Sequence, residues 1–114
     1  AAVSGNNVNS GGTAYGGGVY VNDGTFYMAG NAVISGNTAS GYAYGGGVFV
    51  GSSGAFEKTG GVIYGVNALA ANRNTAGGEG DAAYNDGTSD KRNTTANSGD
   101  NLNSAYSGPP GGWE

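Results

Sequence analysis

The chain has 114 residues, enough for one domain with a modest core. It holds 26 Gly without a triplet rule, which excludes collagen, and no Cys or His, which removes disulfides, zinc catalysis and triads with a His base. A net charge of -4 with only four cationic side chains gives nucleic acid no basic footprint, and no apolar run approaches the ~20 residues of a membrane helix.

The first apolar element is Val3-Ser4-Gly5-Asn6, which returns as Ile34-Ser35-Gly36-Asn37 after 31 residues. Next, Tyr15-Gly16-Gly17-Gly18-Val19-Tyr20-Val21 returns as Tyr44-Gly45-Gly46-Gly47-Val48-Phe49-Val50 after 29 residues. Gly24-Thr25-Phe26 returns as Gly54-Ala55-Phe56 after 30. A weaker third copy follows. Val33-Ile34-Ser35-Gly36 becomes Val62-Ile63-Tyr64-Gly65, and Val19-Tyr20-Val21-Asn22-Asp23-Gly24-Thr25 becomes Ala82-Ala83-Tyr84-Asn85-Asp86-Gly87-Thr88.

Each unit of about 30 residues therefore carries three short strand-like segments, typified by 16–21, 24–28 and 32–37, each bounded by the turn residues Gly, Asn or Asp. Their length and glycine content argue against helix, since each Gly costs a helix about 1 kcal/mol relative to Ala. Three segments per period fit a chain that returns above itself and stacks equivalent segments in parallel. The expected fold class is all-β: a right-handed parallel β-helix, or solenoid, of about three coils. Residues 1–66 form the regular coils, and 67–114 hold the degraded final coil, a loop and an irregular C-terminal cap.

Alternation assigns the faces. Val19, Val21, Phe26, Ile34, Val48, Val50, Phe56 and Ile63 form the expected core, with Val3 and Met28 also inward. Asn6 and Asn37 recur at one corner, where stacked amides can satisfy turn backbone groups. The triple-glycine segments allow tight corners. Lys58 falls on the inward position of Met28, and is expected to reach water or a carboxylate as the last regular coil loosens.

The segments 16–21, 24–28 and 34–39 resemble the repeats of bacterial surface proteins with right-handed β-helix passengers: adhesin-like proteins of spirochaetes and polymorphic outer-membrane-type proteins. The stretches 91–95 and 111–114 resemble the closing segment of that group. The resemblance implies a repeat scaffold at the bacterial cell surface or outside the cell; it does not imply a catalytic site. The expected function is a non-enzymatic, adhesin-like scaffold. The alternatives are a subunit of an extracellular fibre or surface layer that assembles through coil edges, and a carbohydrate-binding module.

Outward aromatics at Tyr20, Tyr27 and Phe49 are the candidate ligand-binding residues, because flat rings stack on sugar faces. Paired carboxylates are the remaining enzymatic route, but the outward positions of the best segment are aromatic, and no enzyme is expected. Glu79, Asp81, Asp86 and Asp90 crowd one stretch and are weak candidates for calcium. No spaced calcium-loop motif accompanies them, so no cofactor is expected. Residues 67–80 read as a polar loop or lateral excursion. Trp113, the only Trp, is the expected cap over Ile63, Ala82 and Tyr84. Expected partners are upstream repeats or a second copy at the N-terminal coil edge, and a host-surface or polysaccharide ligand. Neither nucleic-acid binding nor membrane insertion is expected of this segment.

Overall fold

The computed structural model describes residues 1–58, 60–65 and 68–86, together with the backbone of strands at 92–94 and 106–107. Trp113 and Asp90 lie outside the described residues. In chain order the strands are β1 (Ala2–Ser4), β2 (Asn7–Tyr15), β3 (Val19–Met28), β4 (Val33–Ser35), β5 (Thr38–Tyr44), β6 (Val48–Lys58), β7 (Val62–Ile63), β8 (Thr75–Ala76), β9 (Ala83–Asn85), β10 (Arg92–Thr94) and β11 (Tyr106–Ser107). No helix occurs among the described residues, so none there is long and apolar enough to cross a membrane.

The protein is all-β, with parallel pairing throughout. From β1 to β9, successive strands join different sheets, and every third strand returns to the same sheet. One sheet runs β1-β4-β7 and a second β2-β5-β8. The third holds β3, β6 and β9, extended by β10 beside β6 and by β11 beside β9. The repeat offsets reappear as strand register. Val3 faces Ile34, and Ile34 faces Ile63. Val19, Val21 and Phe26 face Val48, Val50 and Phe56. The chain thus forms three layers, each contributing one strand to each sheet.

The inward side chains of these layers make one core of Val21, Met28, Ile34, Val48, Val50, Phe56, Ile63, Ala82 and Ala83, with Val3, Val19 and Phe26 packed against it. Phe26 and Phe56 stack with ring centroids 5.5 Å apart. A smaller cluster of Ala14, Ala39 and Ala43 sits under the second sheet. The corner between the second and third sheets requires glycine. Gly16, Gly45 and Gly80 all adopt positive φ, at 68°, 74° and 74°, a region that L side chains rarely enter.

Four expectations are corrected. The segments 16–21 and 24–28 are one strand, β3, interrupted by a register shift between Val21 and Asp23. Asp23 and Gly24 therefore mark an irregularity within a strand and not a corner. The third strand of each layer is β2 or its equivalent, which alternation does not reveal: across Asn7–Tyr15 only Val8, Ala14 and Tyr15 are apolar or aromatic.

The third layer is displaced by one residue from the sequence match. Val48 pairs with Ala83, Phe49 with Tyr84 and Val50 with Asn85. A one-residue slip exchanges the two faces. Tyr84 accordingly points outward and is not part of the wall to be capped, while Asn85 is fully buried.

Residues 67–80 are not wholly a loop, since Thr75–Ala76 returns to the second sheet beside Thr38 and Ala39. Finally, Lys58 does not reach water. It pairs in register with Met28 on one side and Thr94 on the other, and its side chain is fully buried. Strand β6 continues to its end between two neighbours and does not loosen there.

Candidate functional site

The most organised outward surface lies on either side of the glycine corner. Tyr15 and Tyr44 precede the corner in successive layers; Tyr20, Phe49 and Tyr84 follow it. In-register pairing sets their separation, because neighbouring strands lie about 4.8 Å apart and equivalent side chains stand one above another. Tyr20 stacks on Phe49 at 5.3 Å and 4° between planes. Phe49 stacks on Tyr84 at 5.7 Å and 6°. Tyr15 and Tyr44 stack at 6.1 Å and 20°. Tilted contacts of Tyr15 with Phe49 at 4.6 Å, and of Tyr44 with Tyr84 at 4.9 Å, tie the two columns together.

This geometry corrects the ligand-binding set. Phe49 is 2% exposed, held between two rings, and presents no face to a ligand. Tyr20 is 49% exposed and Tyr15 44% exposed, whereas Tyr44 and Tyr84 are half-buried, so the columns are most open at the first layer. Tyr27 is well exposed, but its neighbour across the sheet is Glu57, and it makes no ring contact among the described residues. The three candidates do not form one site.

At the other end of the columns the chemistry changes. Glu79 takes the place of a third tyrosine, bridging to Tyr44 in parallel. Burial raises the Tyr84 hydroxyl above its ordinary pKa of 10, and the negative charges of Glu79 and Asp86 add to this, as does Tyr44. The phenol is kept neutral beside two carboxylates.

The described acidic candidates, Glu79, Asp81 and Asp86, are not gathered for a cation. The carboxylate of Asp81 accepts the Ala76 backbone N–H at 2.8 Å, Glu79 belongs to the tyrosine column, and Asp86 is exposed at the end of β9. No group of three metal-ligating side chains occurs among the described residues.

A second column runs inside. The Asn37 Oδ1 accepts from the Asn6 backbone N–H at 3.1 Å and from Asn6 Nδ2 at 3.0 Å. The Asn74 Oδ1 accepts from the Asn37 N–H at 3.0 Å and from Asn37 Nδ2 at 2.9 Å. Each amide also reaches back one layer: Asn37 Nδ2 donates to the Val3 carbonyl at 2.9 Å, and Asn74 Nδ2 to the Ile34 carbonyl at 2.8 Å. Asn37 and Asn74 are fully buried, so these bonds satisfy groups that water cannot reach. Asn74 was not found by sequence matching, because residues 66–73 separate it from Gly65, whereas Asn6 and Asn37 directly follow their glycines.

Comparison with known proteins brings no relative: no protein-family model, curated protein or solved structure matches the chain.

Proposed function

We propose that this chain is a stretch of right-handed parallel β-helix that serves as a non-enzymatic, adhesin-like scaffold at a bacterial surface or outside the cell. The observation that carries the reading is the shared register of the three sheets. Equivalent residues lie 29 to 31 positions apart between the first two layers in every sheet, as one continuous coil requires. A right-handed path follows the general hand of parallel crossovers. The buried interior holds an apolar core and the asparagine column, with Lys58 and Asn85 also enclosed. Outside, Tyr15 and Tyr20 stay exposed at the first-layer end of the aromatic columns, a surface of the kind that contacts other molecules.

The non-enzymatic part rests on chemistry. The chain has no His or Cys, and the carboxylate of Asp81 beside the glycine corner accepts a backbone N–H. The cell-surface part rests on the resemblance of the repeats.

The purified chain, applied to a glycan array and to immobilised extracellular-matrix proteins, tests the proposal. Saturable binding that Tyr20→Ala weakens supports an adhesin-like role. Binding to neither class removes that role, and turnover of any polysaccharide removes the non-enzymatic reading.

A further inference from the structure

We infer that the N-terminal face of the first layer is a docking surface for one more unit of this same repeat, with Asn6 as its key. The inference extends the scaffold reading and rests on its stacked geometry.

Burial gives the first argument. Every inward position of the first layer is less covered than its partner in the second. Ile34 is 2% exposed while Val3 is only partly buried; Val48 and Phe56 are fully buried while Val19 and Phe26 are not. An apolar cavity of about 300 Å³ opens there, lined by Val3, Phe26, Met28, Ala32 and Ile34 among others. Among the described residues, β1 and β2 are the end strands of their sheets and β3 pairs only with β6, so each leaves one edge of N–H and C=O groups without a strand beside it.

The second argument identifies the occupant. The asparagine column has a direction. Each Oδ1 accepts two hydrogen bonds from the asparagine one layer earlier, and each Nδ2 beyond the first layer donates to a carbonyl of that earlier layer. Asn6 heads the column. It is exposed, and its Oδ1 receives no hydrogen bond among the described residues. The complementary partner must run parallel and be apolar opposite Val3, Val19, Val21 and Phe26. It must also bring an asparagine with a free N–H and Nδ2 opposite Asn6, and a carbonyl three residues before that asparagine. The first layer meets every one of these demands where it sits on the second. A flat apolar partner would leave the Asn6 Oδ1 unpaired.

The test adds a copy of residues 1–31 ahead of Ala1 in the full chain. Three forms are compared: the parent chain, the extended chain, and the extended chain in which the asparagine of the copy equivalent to Asn6 is changed to Ala. The extension should slow hydrogen exchange at the first-layer strand amides and raise the thermal midpoint, on the order of 5 °C for a newly formed layer interface. The alanine form should lose most of both effects. An extension that leaves exchange and midpoint unchanged, or an alanine form as protected as its parent extension, overturns the inference. Rapid exchange at Val48 to Val50 in the parent chain would sink the stacked scaffold itself, and so separates the two failures.

Discussion

Asn37 gives both its backbone N–H and its side-chain Nδ2 to a single atom, the Oδ1 of Asn74, at 3.0 and 2.9 Å. One side chain of the third layer therefore holds the corner of the second. Asn74→Ala should leave the buried Asn37 N–H without its acceptor and create a small void. We expect a loss of about 2–4 kcal/mol in urea unfolding, from the cost of an orphaned buried donor and the lost packing. Asn74→Asp supplies the acceptor but cannot donate to the Ile34 carbonyl and buries a charge, so it should not rescue the loss. A near-neutral Asn74→Ala would mean that the column does not order the corner.

The Phe26–Phe56 pair tests the inner register. Phe56 is fully enclosed, whereas Phe26 lies toward the open end. Phe56→Ala should cost roughly 3–5 kcal/mol, and Phe26→Ala clearly less, because its surroundings already meet water. Equal costs, measured by chemical denaturation, would contradict the difference in cover between the layers.

The outer column makes a different forecast. Phe49→Ala removes the ring that Tyr20 and Tyr84 both stack on, and should destabilise the fold by about 2–4 kcal/mol with loss of near-ultraviolet circular dichroism. Tyr27→Ala, at an exposed position without ring contacts, should stay within about 0.5 kcal/mol of the parent. A reversed order would mean that Phe49 is free at the surface.

Glycine substitutions separate close approach from mere abundance. A Cβ on Gly47 would strike the Ala82 carbonyl and lie 3.0 Å from the Ile63 Cγ2 and 3.1 Å from the Asn74 Nδ2, whereas a Cβ on Gly11 meets nothing within 4 Å. Gly47→Ala should lower stability by roughly 1–3 kcal/mol through overpacking, and Gly11→Ala should be close to neutral. Thermal unfolding of the two variants checks this.

Tyr84 predicts a pH dependence. Its folded pKa lies above the ordinary 10, first through burial and then through Glu79, Asp86 and Tyr44. The unfolded chain therefore releases this proton at lower pH than the folded one. The associated stability is intact below pH 10 and falls away as pH rises through the folded value. An ultraviolet titration of tyrosine ionisation should show a late-titrating component that Tyr84→Phe removes. Its persistence in that variant would assign it to another of the eight tyrosines.

What could be read in the sequence followed the strength of side-chain patterning. The alternating valines and the recurring Phe of 19–28 and 48–58 give the register of β3 and β6 to within the shift near Asp23. The β2-β5-β8 sheet was invisible because its buried positions are mainly alanine, which leaves no contrast with neighbouring Gly, Ser and Thr. The register of the third layer is hidden because Asn85-Asp86 resembles Asn22-Asp23, while the pairing follows corner geometry, with Gly80 in the place of Gly45 and Gly16. The burial of Phe49 is not legible in the sequence, because alternation tells which face a residue is on, not what lies above and below it.

The asparagine column also separates unit length from alignment. Eight positions, 66 to 73, separate Gly65 from Asn74 in the sequence, yet Asn74 joins the same column that Asn6 and Asn37 occupy directly after their glycines. Where a buried amide indexes each layer, the number of residues between strands is free to vary at that corner. A foreign peptide inserted there would hang from the side of the molecule while the rows above and below kept their places, which makes this corner the natural point for grafting new binding loops.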